Sequence, residues 1–475
     1  MANDPDPADM LAAAPRAYLV AAAGCGKTET IAKAAGVRAE GRQLILTHTH
    51  AGVKALKDRL RRVEAPRGKV RVDTIAGFAL RYALGFPRRS QVPTAEPSRA
   101  EEWQAIYASG RRVLEARVGR RILAESFSAL YVDEYQDCTT DQHGLILAIA
   151  DVLPCKIVLD PLQGIFGFGG QTLVSVENDI DPSFDRLPDL SVPWRWRNAN
   201  PDLGEWLVSI RPDLEAGRSV DLGGAPVEWD ARAPQSQRAA CLRVAGREGS
   251  VVAIGQWAGD CHDIARRLGG AFTSMETIEC SDLLNTSARI EEAAGPARAV
   301  AVVDFAASCM TRVNQELGAA RARLAGGHLA NPAGSPERRA AVEGLNEVAN
   351  SADLGRVVDA MRAIDRLPNH VVFRRELWRE MRRTIRSFGT QRYQTMAEAA
   401  WHVRDAGRQN GRQVERRTVS RTLLVKGLEF DHAVVLNGDV HNAMNLYVAL
   451  TRASRSLTVL SEDRVVPRAR TARAR

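Results

Sequence analysis

The chain has 475 residues, 45% hydrophobic and 26% charged, with a net charge of +8; this fits a soluble globular protein of about two to four domains and permits a polyanionic partner, although arginines scattered on solvated helix faces give the same excess. The seven cysteines form no C-x-x-C spacing, which argues against zinc ribbons, iron–sulfur clusters and a disulfide framework. No run of about 18 apolar residues is present, and the opening Asp4-Pro5-Asp6-Pro7 lacks a signal-peptide charge pattern, so the expectation is a cytoplasmic protein with no membrane partner.

An apolar strand, Ala17–Val20, leads into Ala21-Ala22-Ala23-Gly24-Cys25-Gly26-Lys27-Thr28 and then a helical pattern from Glu29 to Ala35. This is the spacing of a P-loop with alanine in place of the first glycine. Small residues let backbone N–H groups wrap a β-phosphate, and the helix N-terminus adds positive potential. Lys27 would reach the β/γ oxygens of ATP or GTP, and the Thr28 hydroxyl would bind Mg²⁺. The alternative is a small-residue turn before an alanine-rich helix. The lysine weighs against that: only 7 of the 65 Lys and Arg residues are Lys, yet a compact ammonium, which this loop needs, stands here.

Strands and helices then alternate, with Leu44–Thr47 and Val70–Asp73 as strands around a helix over Ala51–Arg62, the rhythm of a parallel α/β sheet. Three prolines in Gly85–Ser98 break it, and Glu101–Leu123 reads as a small helical insertion. The sheet resumes at Phe127–Val132, from which Asp133 and Glu134 emerge within Tyr131-Val132-Asp133-Glu134-Tyr135-Gln136-Asp137. The carboxyl ends of strands in an open α/β sheet are where ligands bind. There Asp133 can help hold Mg²⁺, while Glu134 orients and deprotonates an attacking water. Taken alone, the segment reads equally well as a strand running into a solvated acidic turn. Lys156–Leu159 and Leu190–Val192 continue the sheet.

A second α/β unit is expected from about Pro201, with strands at Val251–Ile254, Thr418–Leu423, Ala433–Leu436 and Leu457–Leu460. Residues Leu283 to Gln409 interrupt it with an almost wholly helical, arginine-rich pattern. From Arg464 the chain reads as a disordered basic tail.

Four further segments complete a pattern: Asp160-Pro161-Leu162-Gln163-Gly164-Ile165-Phe166, Trp194-Arg195, Lys426-Gly427-Leu428-Glu429-Phe430-Asp431 and Leu446-Tyr447-Val448-Ala449-Leu450-Thr451-Arg452-Ala453. Together with the P-loop and the acidic pair, these resemble the UvrD/Rep-like superfamily 1 helicases, in the family's order from residue 21 to residue 453. The resemblance implies an α/β fold of two RecA-like P-loop NTPase domains, each with a helical insertion. The first domain would take 1–84 and 126–198 around the insertion 85–125. The second would take 199–282 and 411–463 around the insertion 283–410, leaving 464–475 as the basic tail.

The implied activity is ATP-dependent, Mg²⁺-dependent 3′–5′ movement on single-stranded or 3′-tailed DNA, in repair or anti-phage defence. By position, Gln163 would sense the γ-phosphate and couple it to DNA. Arg195, at the domain junction, and Arg452, from the second domain, would meet the transferring phosphoryl group, with Arg197 replacing Arg195 if the register slips by two. Trp194 would stack on the base, and Glu429, beside Gly427, would accept from the ribose. Thr49, Thr74, Phe166 and Phe168 would face DNA.

The chain also departs from the family. No glutamine precedes Lys27 to read adenine, and Glu29 stands where arginine is common. Thr47–Ala51, Thr74–Gly77, Phe166–Gly169 and Leu423-Leu424 lack family residues that touch DNA. The compact insertions resemble the helicase subunit of Gabija-type anti-phage systems, which works beside a nuclease subunit. The rival reading is a regulatory DNA-sensing ATPase subunit of a nuclease complex with little unwinding of its own. A P-loop kinase or other transferase is disfavoured, because it would not need Arg452 in a second unit.

Overall fold

The computed structural model describes residues 6–95, 97, 100–165, 172–277, 280–410 and 414–468. The fold is α/β, with two six-stranded parallel sheets of RecA-like type. The first contains β1 (Arg16–Val20), β2 (Gln43–Thr47), β3 (Val70–Thr74), β4 (Ala129–Val132), β5 (Cys155–Leu159) and β6 (Asp185–Arg186), in the order β3-β2-β4-β5-β1-β6. Every residue of β2, β4 and β5 is buried, as expected of strands covered by helices on both faces. The β1–β5 register pairs Leu19 with Val158, and the β4–β5 register pairs Val132 with Ile157, so the P-loop strand and the acidic strand flank β5.

The chain gathers into two compact units. The first holds residues up to Pro226, His441–Arg455 and the segment from Val465. The second holds Val227–Val440 and Ser456–Arg464. In the first unit β7 (Val220–Asp221) pairs antiparallel with a late strand, Val465–Val466, so the expected basic tail begins as ordered structure. Helices Ala100–Glu115 and Arg117–Ser126 lie in the small insertion, yet Ile106, Leu114 and Leu123 are fully buried in the same core as Leu44, Val132 and Ile157. That insertion is a layer of the first domain.

The second sheet comprises β8 (Glu228–Ala231), β9 (Val251–Gly255), β10 (Thr273–Ser274), β11 (Arg417–Arg421), β12 (Phe430–Val435) and β13 (Ala453–Ser461), in the order β10-β11-β9-β12-β13-β8; it belongs to the second unit except for Ala453–Arg455, and the late first-unit pair Val465–Val466 is numbered β14. Helices from Ser281 to Asn410 interrupt it and build their own core around Phe305, Leu317, Leu345, Met361, Trp378 and Met381. Trp378 stacks on Phe305 with ring centroids 5.5 Å apart.

Two expected elements differ. Leu190–Val192 makes only an isolated bridge from Leu190 to Ala21, and Asp185–Arg186 supplies the sixth strand. Pro188 and Pro193 bracket the segment, and proline ends a ladder by removing a donor. The strand expected over Thr418–Leu423 stops at Arg421, and Thr422–Val425 turns into a short helix.

Candidate nucleotide site

β1 delivers the chain to the carboxyl edge of the first sheet, where Ala21 N–H donates to the Leu159 carbonyl at 3.0 Å and extends the ladder by one residue. The loop then turns through positive φ at Gly24 (69°) and Gly26 (88°) before the helix Lys27–Lys33 begins. Both angles are cheap for glycine alone. At Gly24 there is also no space: a Cβ would stand 2.5 Å from a ring carbon of Trp196. Ala21, Ala22, Ala23, Cys25 and Lys27 are buried, while Gly24, Gly26 and Thr28 are half-buried. Burial holds the Cys25 thiol up at about 11, so it stays protonated. The Lys27 ammonium donates to the Ala21 carbonyl at 3.0 Å and lies 3.8 Å from Asp160 Oδ2.

The acidic segment leaves β4 next to β5. Asp133 is 4% exposed, and burial, reinforced by the neighbouring Glu134 carboxylate, pushes its pKa up to about 7. Glu134 has a φ of 56°, a strained conformation for a residue with a side chain. Its amide donates to Asp133 Oδ1 at 3.0 Å, and its carboxylate accepts from the Gln136 amide. Gln136 in turn accepts from Asp160 N–H at 2.9 Å through Oε1. One buried glutamine therefore ties the turn after β4 to the turn after β5.

Asp160 is the hub. It is fully buried and takes Arg211 at 2.9 Å, the Gln163 amide at 2.6 Å and Lys27 at 3.8 Å. Arg211, at the start of the helix Arg211–Glu215, also donates to the Tyr447 hydroxyl at 2.9 Å and to Glu215 at 2.8 Å. Burial alone would lower the pKa of this guanidinium. Asp160 and Tyr447 outweigh it and hold the pKa well above the ordinary arginine range. Tyr447 accepts from Ala23 N–H at 3.3 Å, so the hydroxyl touches the P-loop backbone itself.

Arg452 is 1% exposed and belongs to the first unit through the returning segment His441–Arg455. This corrects the expectation that it reaches the phosphates from the second domain. The helix Ala443–Leu450 buries Leu446 through Leu450 within the first unit, and that packing carries Arg452 with it. Its guanidinium donates to the Val448 carbonyl at 2.8 Å, the Thr451 hydroxyl at 2.9 Å and Gln163 Oε1 at 3.4 Å. Arg195 donates to the Thr451 carbonyl at 2.7 Å, and its backbone N–H donates to the Gly24 carbonyl at 3.1 Å.

Trp194 is 53% exposed, and a Cβ on Gly26 would meet its ring at 3.3 Å, so the indole offers an open face beside the loop. Trp196, by contrast, is fully buried and donates to the Ala453 carbonyl at 2.6 Å. Arg197 is exposed and lies 4.9 Å over the Trp194 ring.

The first unit thus brings together the P-loop, Asp133, Glu134, Gln163, Trp194, Arg195 and Arg452. It does not bring in Gly427 and Glu429, which are exposed in the second unit, Gly427 at a φ of 76°. Thr49 and Thr74 spend their hydroxyls as helix N-caps, accepting from Gly52 at 3.0 Å and Gly77 at 2.9 Å. Phe166 and Phe168 lie outside the described residues. Arg211, Gln136 and Tyr447 are the site residues that spacing alone did not single out. Gln136 and Tyr447 stand inside motif segments, whereas nothing local marks Arg211.

Among the described residues no helix is long and apolar enough to cross a membrane. No family model matches the sequence, and no curated protein matches it. The fold is similar to the Pif1 helicase from Candida albicans, at 10% identity and a TM-score of 0.33, over 56% of this chain and 54% of that one. It is also similar to arterivirus nonstructural protein 10, a helicase, at 10% identity and a TM-score of 0.29, over 96% of this chain and 61% of that one. This chain therefore spans between half and two thirds of each.

Proposed function

We propose that the chain is an ATP-hydrolysing motor of the superfamily 1 helicase type, acting on single-stranded or 3′-tailed DNA and moving 3′ to 5′. The observation that carries the reading is the buried convergence of Lys27, Asp160, Gln163, Arg211 and Arg452 beside a P-loop and an acidic pair. Three cations gathered around one buried carboxylate are costly to bury. A triphosphate is the chemistry that repays them. The donor set also fits Mg²⁺: Asp133 and Glu134 are adjacent carboxylates, the first held partly protonated by burial, and Thr28 adds a hydroxyl, all hard oxygen ligands. Bound there, Mg²⁺ would neutralise developing charge on the phosphate oxygens.

The chain's own residues divide the work. Backbone N–H groups of Ala22–Thr28 cradle the phosphates, and Lys27 turns from the Ala21 carbonyl to the β/γ oxygens. Glu134 orients the attacking water and takes its proton. Arg195 and Arg452 offer fixed positive charge where negative charge spreads, the kind of contribution worth roughly 10³–10⁵ in rate. Gln163 links Arg452 to Asp160, so a change at the phosphates is felt at the turn after β5. Trp194 stacks on the purine. Phe166, Phe168, Thr49 and Thr74 grip DNA.

A regulatory ATPase beside a nuclease subunit, as in Gabija-type defence, is the second reading. Its specific support is that the Thr49 and Thr74 hydroxyls already serve as helix caps. The deciding experiment measures ATP turnover with and without single-stranded DNA, then opening of a 3′-tailed duplex. Turnover without duplex opening selects the regulatory reading, and absence of any nucleoside triphosphate hydrolysis sinks both.

A further inference from the structure

Several arginines in the helical block of the second unit are held by carboxylates, and others, such as Arg298 and Arg338, by backbone carbonyls. Arg374 pairs with Glu276 and Asp282, Arg404 with Glu376 and Glu380, Arg382 with Asp365, and Arg289 and Arg321 share Asp304. The helix Arg375–Phe388 carries a row of arginines on one face that have neither kind of partner among the described residues. Arg379, Arg383 and Arg386 have no carboxylate partner among the described residues, and the Arg379 Nε is buried without any hydrogen bond. Their spacing of four and three residues aligns them on one side, opposite the buried Leu377, Trp378, Met381 and Ile385.

The row runs into an open groove of about 780 Å³, where Arg386 meets Phe388, Tyr393, Arg356 and Arg362. Two carboxylates lie on the same rim. Asp359 is engaged by Arg362 at 3.0 Å, and Asp353 caps Gly355 N–H at 2.8 Å. Tyr393 lines the groove with His402 packed at 4.8 Å and Arg392 5.8 Å over its ring, and nearby Trp401, 36% exposed, meets His402 edge-on at 5.0 Å.

We infer that this face is a second nucleic-acid contact, which takes the sugar–phosphate backbone of a single strand along Arg379, Arg383 and Arg386 and its bases against Tyr393 and Trp401. The guanidiniums, four and three residues apart, rise about 6 and about 4.5 Å along the helix, close to the repeat of an extended strand. Unneutralised arginine beside aromatic rings is the combination that holds single strands without reading sequence. An acidic protein segment would use the charges but not the rings. The assignment rests on the reading that the chain acts on nucleic acid, and adds a surface in the second unit that the nucleotide site does not contain.

The test uses the full chain and a short labelled oligothymidine, followed by fluorescence anisotropy across a salt series. Replacing all three arginines by glutamine should weaken binding at least tenfold at low salt. It should also flatten the slope of log K against log salt by about 2, three contacts at about 0.7 each. The exposed Arg386→Glu should flatten it by at least about 0.7 with an unchanged melting temperature, and so decides the matter if the triple variant does not fold. Trp401→Ala should weaken binding severalfold and leave the slope alone. ATP turnover without DNA should not change in any of them.

Wild-type binding with the same affinity and slope in the arginine variants would overturn this inference and leave the proposed function standing. A wild-type chain that binds no nucleic acid overturns both. Displacement of the oligonucleotide by polyglutamate of equal charge at equal concentration assigns the face to an acidic protein segment, and overturns it too.

Discussion

The first sheet's β1, β4 and β5 run out at one edge into Lys27, Asp133 and Asp160, three buried charged groups among partners. The second sheet's central strand, β9, ends instead in Gly255-Gln256-Trp257, with Trp257 63% exposed. Its neighbour β11 ends in Arg421, whose Nε, like the Thr422 hydroxyl, is buried without a partner. Both sheets have six strands and parallel register. Architecture alone therefore does not single out an edge for the proposed hydrolytic chemistry; a few residues at the strand ends do. The charges of the first edge are mutually satisfied, which lets a highly charged site exist inside a fold.

That contrast can be broken at several points. The largest effect is expected at Lys27: Lys27→Ala should lower ATP turnover by about 10³ or more, measured by phosphate release. Glu134→Gln should lose turnover while keeping affinity for a fluorescent nucleotide. Near wild-type turnover in either variant would remove the chemistry from the first edge.

Next comes the hub. Arg211→Met leaves Asp160 buried with one partner fewer, and breaking a buried pair costs about 3–5 kcal/mol. The drop should appear in urea unfolding, and adding Asp160→Asn should recover a large part of it. If the double variant is no better than the single, the charge network is not what holds this edge together.

The pH dependence of stability sharpens the role of the returning segment. His441 is 3% exposed, neither ring nitrogen has a hydrogen-bond partner, and burial pushes its pKa down to about 4. The unfolded chain takes the proton near pH 6.5 and the folded chain resists it. Stability should therefore fall as pH drops from about 6.5 towards 4, by about 3 kcal/mol. In His441→Leu, thermal melts between those pH values should lose that slope.

The smallest effects belong to the tryptophans. Trp194→Ala should weaken nucleotide affinity about tenfold or less, the worth of one stacking contact. Trp257→Ala, in the second sheet's unit, should change DNA-independent turnover by no more than about twofold. A large loss there would mean that the second edge takes part in hydrolysis.

How much of this was legible in the sequence follows from range. The P-loop, the acidic pair and Trp194-Arg195 are contiguous, and their spacing determines strand, turn and helix, so they could be read directly. Arg211 was not readable, because its meaning lies in a contact to Tyr447 across 236 residues of chain. Arg452 stands in a readable segment, but the unit it packs into is not legible in the sequence. It immediately precedes a strand of the second sheet, and only the packing of Leu446–Leu450 reveals where it belongs. Leu190–Val192 failed as a strand for a local reason that was visible, the bracketing prolines, which apolar content outweighed.

The hydrogen bond between Ala23 and Tyr447 spans 424 residues. During synthesis the P-loop leaves the ribosome some 424 residues before the hydroxyl that touches it. A nascent chain can thus form most of the first sheet while its phosphate loop still lacks Tyr447 and Arg452. Competence for hydrolysis should arrive late and abruptly, and chains cut short before the returning segment should persist as inert, partly folded products rather than as runaway ATPases.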